Sequence, residues 1–257
     1  ALSIRLFGNS ELALRLPSIL SSFLCLITSY LIALKTTNSK SALISLFSLS
    51  SMPLWIQYSR YASPDLPFVL CILLGILFFL KFIDSSEYIS QYFYLFCSGL
   101  FISTSFFIRS YMAFVPFIGL APFIIYHLFY RDYIFRLFFC SGILLGFIPT
   151  LLNLYFSYHK YGFIGITTLF DFAKKQAVGE MNLNNFMLSP FNFLYLTFPI
   201  GILFLILFTF TKPNNNISYP LLTYYYPLIS LVILLCMSTS YPHYFLFLLP
   251  SLSILFS

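Results

Sequence analysis

The sequence predicts an all-α fold, a polytopic bundle of transmembrane helices with short extracytoplasmic juxtamembrane segments. Three observations predict it. Of 257 residues, 60% are hydrophobic and 21% aromatic. Only 8% are charged, against about 25% in an average soluble domain, so a water-facing surface cannot be covered. The mean hydropathy is +0.92, and the basic residues stand singly between long apolar runs. A soluble fold of this composition would carry an apolar exterior and aggregate.

A helix needs about 20 apolar residues to cross the hydrocarbon core. The first such run is 13–34, ending at Lys35. The second, 41–58, is Ser-rich and interrupted by Pro53, a point where a helix kinks or breaks. The third spans 65–83, ending near Lys81 and Asp84. The fourth and fifth, 91–108 and 111–130, are parted only by Arg109-Ser110, which predicts a tight turn or short helix. The sixth is 137–157, with Pro149 as a second break point. A polar stretch, 158–190, follows and is expected as an extracytoplasmic loop with a short interfacial helix around Phe170–Ala177. Runs at 191–211, 218–238 and 243–257 complete about eight spans by this length criterion. Tyr224-Tyr225-Tyr226 reads as part of an aromatic girdle.

The positive-inside rule does not orient the chain. With residue 1 outside, Lys35, Lys40, Lys81, Arg131, Arg136 and Lys212 fall on the cytoplasmic side. Arg5, Arg15, Arg60, Arg109, Lys160, Lys174 and Lys175 fall on the other, six against seven. Basic residues on the outer face are accounted for by an anionic substrate handled there, or by headgroup contact and snorkelling. The net charge of +6 therefore points to membrane orientation and anionic lipid rather than nucleic acid. Cys25, Cys71, Cys97, Cys140 and Cys236 all lie in apolar stretches without metal-ligand spacing. Residues 1–12 lack the apolar core of a signal peptide, and the chain reads as a fragment of a longer protein.

Ionised groups near hydrocarbon are costly and are commonly kept for substrates, ions or paired contacts. Arg60-Tyr61-Ala62-Ser63-Pro64-Asp65 is the most informative cluster. Ser63-Pro64-Asp65 also suits a plain helix start, with Ser as cap, Pro in the first turn and Asp near the positive end of the helix dipole. Glu11 and Arg15, four residues apart, form either a self-satisfied pair on one helix face or an Arg that meets phosphate. Tyr241-Pro242-His243-Tyr244 precedes the last run, and His243 is a candidate for proton transfer or anion contact. His127 and His159 have no evident partners in the sequence. No nucleotide loop, zinc spacing or Ser/His/Asp order is present.

Phe7-Gly8-Asn9-Ser10-Glu11-Leu12-Ala13-Leu14-Arg15-Leu16-Pro17-Ser18 resembles the "FG…E-x-A-x-R-L-P-S" signature of GT-C membrane glycosyltransferases, in the protein mannosyltransferase and aminoarabinose transferase-like group (glycosyltransferase family 39-like). Arg60 to Asp65 is similar to their "R-Y-x-x-P-D" motif. Arg109-Ser110 stands where many members have Lys-Gly, and Tyr241–Pro250 is similar to "R/K-x-x-Y-x-L-P-x-x-P". The resemblance implies a GT-C-like bundle. It implies an enzyme that takes a sugar from a polyprenyl-phosphate carrier and passes it to a lipid, glycan or protein acceptor at the outer face, with inversion at the anomeric carbon. By this analogy Asp65 orients or deprotonates the acceptor, or helps hold a divalent metal. Arg60, Arg15 and Arg109 face the carrier phosphate, whose charge grows as the sugar leaves. Tyr61, Glu11, His243 and Tyr244 are further substrate-binding candidates. The 158–190 loop covers the site and contributes Lys174 and Glu180. The group's main acidic motif precedes the "R-L-P" segment and so falls before residue 1; the fragment is expected to be inactive alone.

The expected function is thus a membrane glycosyltransferase in a bacterial inner membrane, with carrier-linked sugar, acceptor and membrane lipids as partners. A transporter or flippase of a lipid-linked anion, and a membrane scaffold with polar anchors, are the alternatives; inverted repeats would favour transport.

Overall fold

Most large side chains of the first long helix face outward, Ile32 excepted, and its small ones face inward. Helix α2 (Glu11–Thr36) buries Ala13, Ser18, Ser21, Ser22, Cys25, Ser29, Ala33 and Thr36. It exposes Leu12, Leu14, Leu20, Phe23, Leu24 and Ile27. A water-soluble helix does the opposite. In lipid, apolar side chains gain nothing by hiding, and helices associate through small residues that let backbones approach.

The computed structural model describes residues 2–129, 132–168, 171, 191, 194–195, 219–236 and 242–256. The chain enters through a short α1 (Leu2–Phe7), and Gly8 at φ +73 turns it toward α2. Ser10 caps α2 by accepting from the Ala13 N–H at 3.2 Å. Helix α3 (Ser39–Ser51), capped by Asn38, returns alongside α2. The 41–58 run is two helices, because Met52 is extended (φ −65, ψ 127) and Pro53 opens α4 (Pro53–Ser59). A residue before proline is pushed out of the helical region, and proline fits the first helical position. Pro149 makes no such break: α8 (Tyr133–Tyr161) runs through it continuously, as buried or lipid-embedded helices often allow.

Helix α5 (Asp65–Asp84) is the centre of the bundle, burying twelve residues from Asp65 to Phe82. It packs on α2 and on α6 (Tyr88–Arg109). Ser98 donates to the Gly75 carbonyl at 2.8 Å, so α5 and α6 meet at a small-residue contact. A 3₁₀ turn (Ser110–Ala113) leads into α7 (Phe114–Phe129). A π turn (Leu221–Tyr225) precedes α9 (Tyr226–Cys236), and a 3₁₀ segment (Pro242–Leu248) precedes α10 (Leu249–Phe256). Phe79 meets Phe123 at 5.3 Å and Phe139 at 6.1 Å between ring centroids, joining α5, α7 and α8.

Among the described residues, four helices are long and apolar enough to cross a membrane: α2, α5, α6 and α8. Three shorter apolar helices, Phe114–Phe129, Leu221–Cys236 and His243–Leu255, accompany them among the described residues. Most of the expected 191–211 run lies outside the described residues. There is no strand among the described residues. The expected polar loop begins later than its composition suggests, since 158–161 belong to α8 and 163–168 are helical. Of the Tyr224–Tyr226 run read as a girdle, Tyr225 is exposed but Tyr226 is buried against Gly119. His127 packs on Phe123 at 4.8 Å and Tyr219 at 5.9 Å, and His159 on Tyr155 at 5.9 Å.

Helices α6 and α8 cross through Gly99, Gly142 and Gly146. A Cβ on Gly142 would meet the Phe96 carbonyl carbon at 3.0 Å and the Leu100 nitrogen at 3.1 Å, with the Phe96 oxygen closer still. Backbone cannot yield as a flexible side chain can. Gly142→Val is therefore expected to destabilise the protein by about 1–3 kcal/mol, read as a lowered Tm in detergent. An unchanged Tm would mean that α6 and α8 do not approach this closely.

Candidate functional site

The ends of the long helices divide the charges into two groups. Lys35 closes α2 and pairs with Asp84, the last residue of α5. Asp84 also accepts from the Tyr219 hydroxyl at 2.9 Å. The start of α5 and the end of α6 meet at the opposite end, because these helices are antiparallel neighbours. Ser18 near the start of α2 is there too. Its hydroxyl donates to the Ser63 carbonyl at 3.0 Å and accepts from the Ser63 N–H at 3.2 Å.

At that end Asp65 is paired with Arg109. Asp65 is the first residue of α5 and is 5% exposed; Arg109 is the last residue of α6. Each charge sits at the helix end whose dipole favours it. The arrangement explains how two ionised groups are tolerated where burial is expensive. It also bears on two residues beside Asp65. Arg60, five residues before Asp65, is exposed and makes no ion pair among the described residues. The partner comes instead from 44 residues away. Ser63 does not cap α5 either: Pro64 occupies the cap position without a side-chain cap bond, because Ser63 is held by Ser18.

Aromatic residues surround the pair. The Arg109 charge acts on Tyr58 and Tyr244 and on His243. Tyr58 lies 5.6 Å from Tyr61, edge to face, and 6.1 Å from His243. His243 packs on Tyr244 at 4.5 Å. Tyr244 is 2% exposed and Tyr61 is 49% exposed, so the cluster runs from the bundle interior to its surface. Thus α4, α5, α6 and the 242–248 segment converge at one point. Glu11 and Arg15 pair with each other on the exposed surface of α2, and no hydrogen bond or ion pair joins them to Asp65 or Arg109. Lys174 and Glu180 lie outside the described residues. The sequence did not single out Tyr58 or Ser18, although each adjoins a motif that it did: Tyr58 precedes Arg60 by two, and Ser18 ends the "R-L-P-S" stretch.

A divalent metal finds no fit at Asp65. Its carboxylate is engaged by Arg109, and no group of three His, Cys, Asp or Glu side chains stands together among the described residues. The five cysteines are free.

Residues 1–156 match the sequence profile of the family described as dolichyl-phosphate-mannose-protein mannosyltransferase. This is more than half of the chain, and the chain belongs to that family. An uncharacterized protein of Aquifex aeolicus (strain VF5) is 38% identical over 77 residues, 30% of this chain and 15% of that protein. The fold matches the crystal structure of ArnT from Cupriavidus metallidurans bound to undecaprenyl phosphate, with a TM-score of 0.76 over 99% of this chain at 15% identity. The apo structure of the same protein matches at 0.68 and 16% identity. The chain spans about half of the ArnT chain, 47% of it in the first case. The expected GT-C-like helical architecture is thus found, in a multi-pass integral membrane protein.

Ser110 directly follows Arg109 and has φ 46 and ψ −120. This is the first-corner geometry of a type II′ turn, which favours glycine, and it strains an L-residue by about 1–3 kcal/mol. Ser110→Gly keeps the turn and removes the strain. A stabilisation of about 1 kcal/mol is expected, seen as a raised Tm; a lowered Tm would mean that the serine side chain is needed there.

Proposed function

We propose that this member of the mannosyltransferase family is an integral-membrane glycosyltransferase. It moves a sugar from a polyprenyl-phosphate carrier to a lipid, glycan or protein acceptor at the extracytoplasmic face of a bacterial inner membrane. The observation that carries the reading is a buried acid and base pair, Asp65 and Arg109, set at one end of the bundle among Tyr58, His243 and Tyr244. Family membership and the undecaprenyl phosphate bound to ArnT support the choice of donor. No observation favours a transporter or flippase.

The chemistry divides between the two charges. The lone pair of an acceptor oxygen or nitrogen attacks the anomeric carbon from the side opposite the carrier. The bond between that carbon and the carrier phosphate oxygen breaks, and its electron pair stays on the phosphate. The proton lost by the acceptor goes to the Asp65 carboxylate. Arg109 and the exposed Arg60 stabilise the charge that develops on the phosphate. Arg15, held by Glu11, is a more distant phosphate contact. Tyr61, at the exposed edge of the aromatic cluster, packs on the sugar. His243 and Tyr244 position Arg109 from the other side. Lys174 and Glu180 are further candidates for substrate contact.

The test uses the full-length protein in membranes, supplied with a radiolabelled polyprenyl-phosphate sugar. Asp65→Asn is expected to lower transfer about 10²–10⁴-fold, the range of a lost general base, with expression unchanged. Arg60→Ala is expected to lower it less, because Arg109 remains. Full transfer by Asp65→Asn would reduce Asp65 to a structural residue.

A further inference from the structure

Arg109 cannot offer its full charge to a phosphate while Asp65 holds it. The side chains are 21% and 7% exposed, so little water screens the pair, and the attraction is far stronger than at a surface. A phosphate approaching Arg109 also approaches the Asp65 carboxylate, and two anions at such a distance repel. The contact with Asp65 runs through Nη2; a phosphate on the remaining N–H groups shares the guanidinium charge with the carboxylate, and each anion is held less tightly than it would be alone. Around the guanidinium, Arg60 is exposed and makes no ion pair among the described residues, and Tyr58, His243 and Tyr244 lie within reach of the Arg109 charge.

We infer that Asp65 and Arg109 form a donor-operated switch, in which the carrier phosphate takes Arg109 away from Asp65 and so releases the carboxylate to act on the acceptor. This rests on the proposed glycosyl transfer and adds its order of events. In the resting protein the Asp65 carboxylate is engaged by the guanidinium and is not free to meet the acceptor. Once the phosphate has claimed Arg109, the carboxylate loses its counter-charge and gains an anionic neighbour. Its oxygens are then free to accept a hydrogen bond from the acceptor. The proton acceptor is thus armed only when the donor is in place. The exposed Arg60 supplies first contact with the phosphate, and the burial of Arg109 makes the exchange the slower and more selective step.

The switch makes a prediction of opposite sign for binding and turnover. Binding of radiolabelled undecaprenyl phosphate to the purified full-length protein in detergent is measured, with the neutral alcohol undecaprenol as the control for the tail. Asp65→Asn frees Arg109 and is expected to tighten carrier-phosphate binding about 3- to 10-fold, leaving undecaprenol binding unchanged, while transfer falls. Arg109→Gln is expected to weaken binding, and the double variant Asp65→Asn/Arg109→Gln to bind no more tightly than Arg109→Gln alone. Asp65→Ala, which admits water beside Arg109, carries the same expectation should the Asn variant fail to fold. Equal or weaker phosphate binding by folded Asp65 variants overturns the switch and leaves the glycosyl-transfer reading standing. A gain that persists without Arg109, or appears equally with undecaprenol, also overturns it. No phosphate-dependent binding by the wild-type protein overturns the donor reading and the switch together.

Discussion

The contact between Asp65 and Arg109 sets the register of the bundle. Two antiparallel helices, α5 and α6, bring a positive dipole end and a negative dipole end side by side. The chain places an acid on the first and a base on the second. Neither charge is well solvated, so sliding either helix by a turn would strand one of them, at a penalty of several kcal/mol. The Ser98 to Gly75 hydrogen bond, 2.8 Å long, holds the same register farther down. At its other end α5 terminates in Asp84, an acid at the helix end that disfavours one. Lys35 and the Tyr219 hydroxyl offset that mismatch, and in doing so fasten α2 and the entry to α9 to the same helix. The central helix is thus tied at both ends by its acids.

Between these ends the bundle is held by small residues rather than large ones. Gly99, Gly142 and Gly146 let α6 and α8 approach until a single added methyl would strike backbone. The inward faces of α2 and α3 are lined with serine, alanine and threonine. In water such faces would be weak, because they bury little apolar area. In lipid the comparison is with hydrocarbon, and close backbone approach with satisfied hydroxyls becomes the main source of specificity. Many of the buried hydroxyls bond within their own helix, as Thr28 does to Leu24 at 2.7 Å and Ser103 to Gly99 at 2.8 Å.

This inversion explains which parts of the fold were legible in the sequence. Long apolar runs announce α2, α5, α6 and α8 directly, and Pro53 marks a true break because Met52 can become extended there. The extension of α8 to Tyr161 was not legible: polar and aromatic residues after 157 look like loop, yet they continue the helix beyond the apolar run. The burial of Tyr226 was hidden for a related reason. A tyrosine triplet near a span end suggests a girdle, but only packing against Gly119 reveals which ring turns inward. Of the site, position beside apolar runs singled out Asp65, Arg60 and His243, and the family resemblance added Arg109. The sequence could not pair them. Arg60 is close in sequence to Asp65 yet stands on the outside, while Arg109 arrives through the antiparallel return of α6. Periodicity cannot supply that contact, because nearly every face of these helices is apolar.

The strained turn at Ser110 bears on how the site is set. Arg109 ends α6 with a Ser110 N–H bonded back to Phe106, and the next residue adopts a backbone shape that glycine holds freely. A serine there raises the local energy without altering the path of the chain. The strain persists because α6 below it and α7 beyond it are both anchored, α6 by α5 and α8, and α7 by Phe123 on Phe79. Strain held at a junction between anchored helices lies beside the one guanidinium that, on the proposed reading, must change partners. That strain bears on the exchange only to the extent that it is relieved when Arg109 changes partners; strain equal in both states lowers stability and leaves the exchange unchanged.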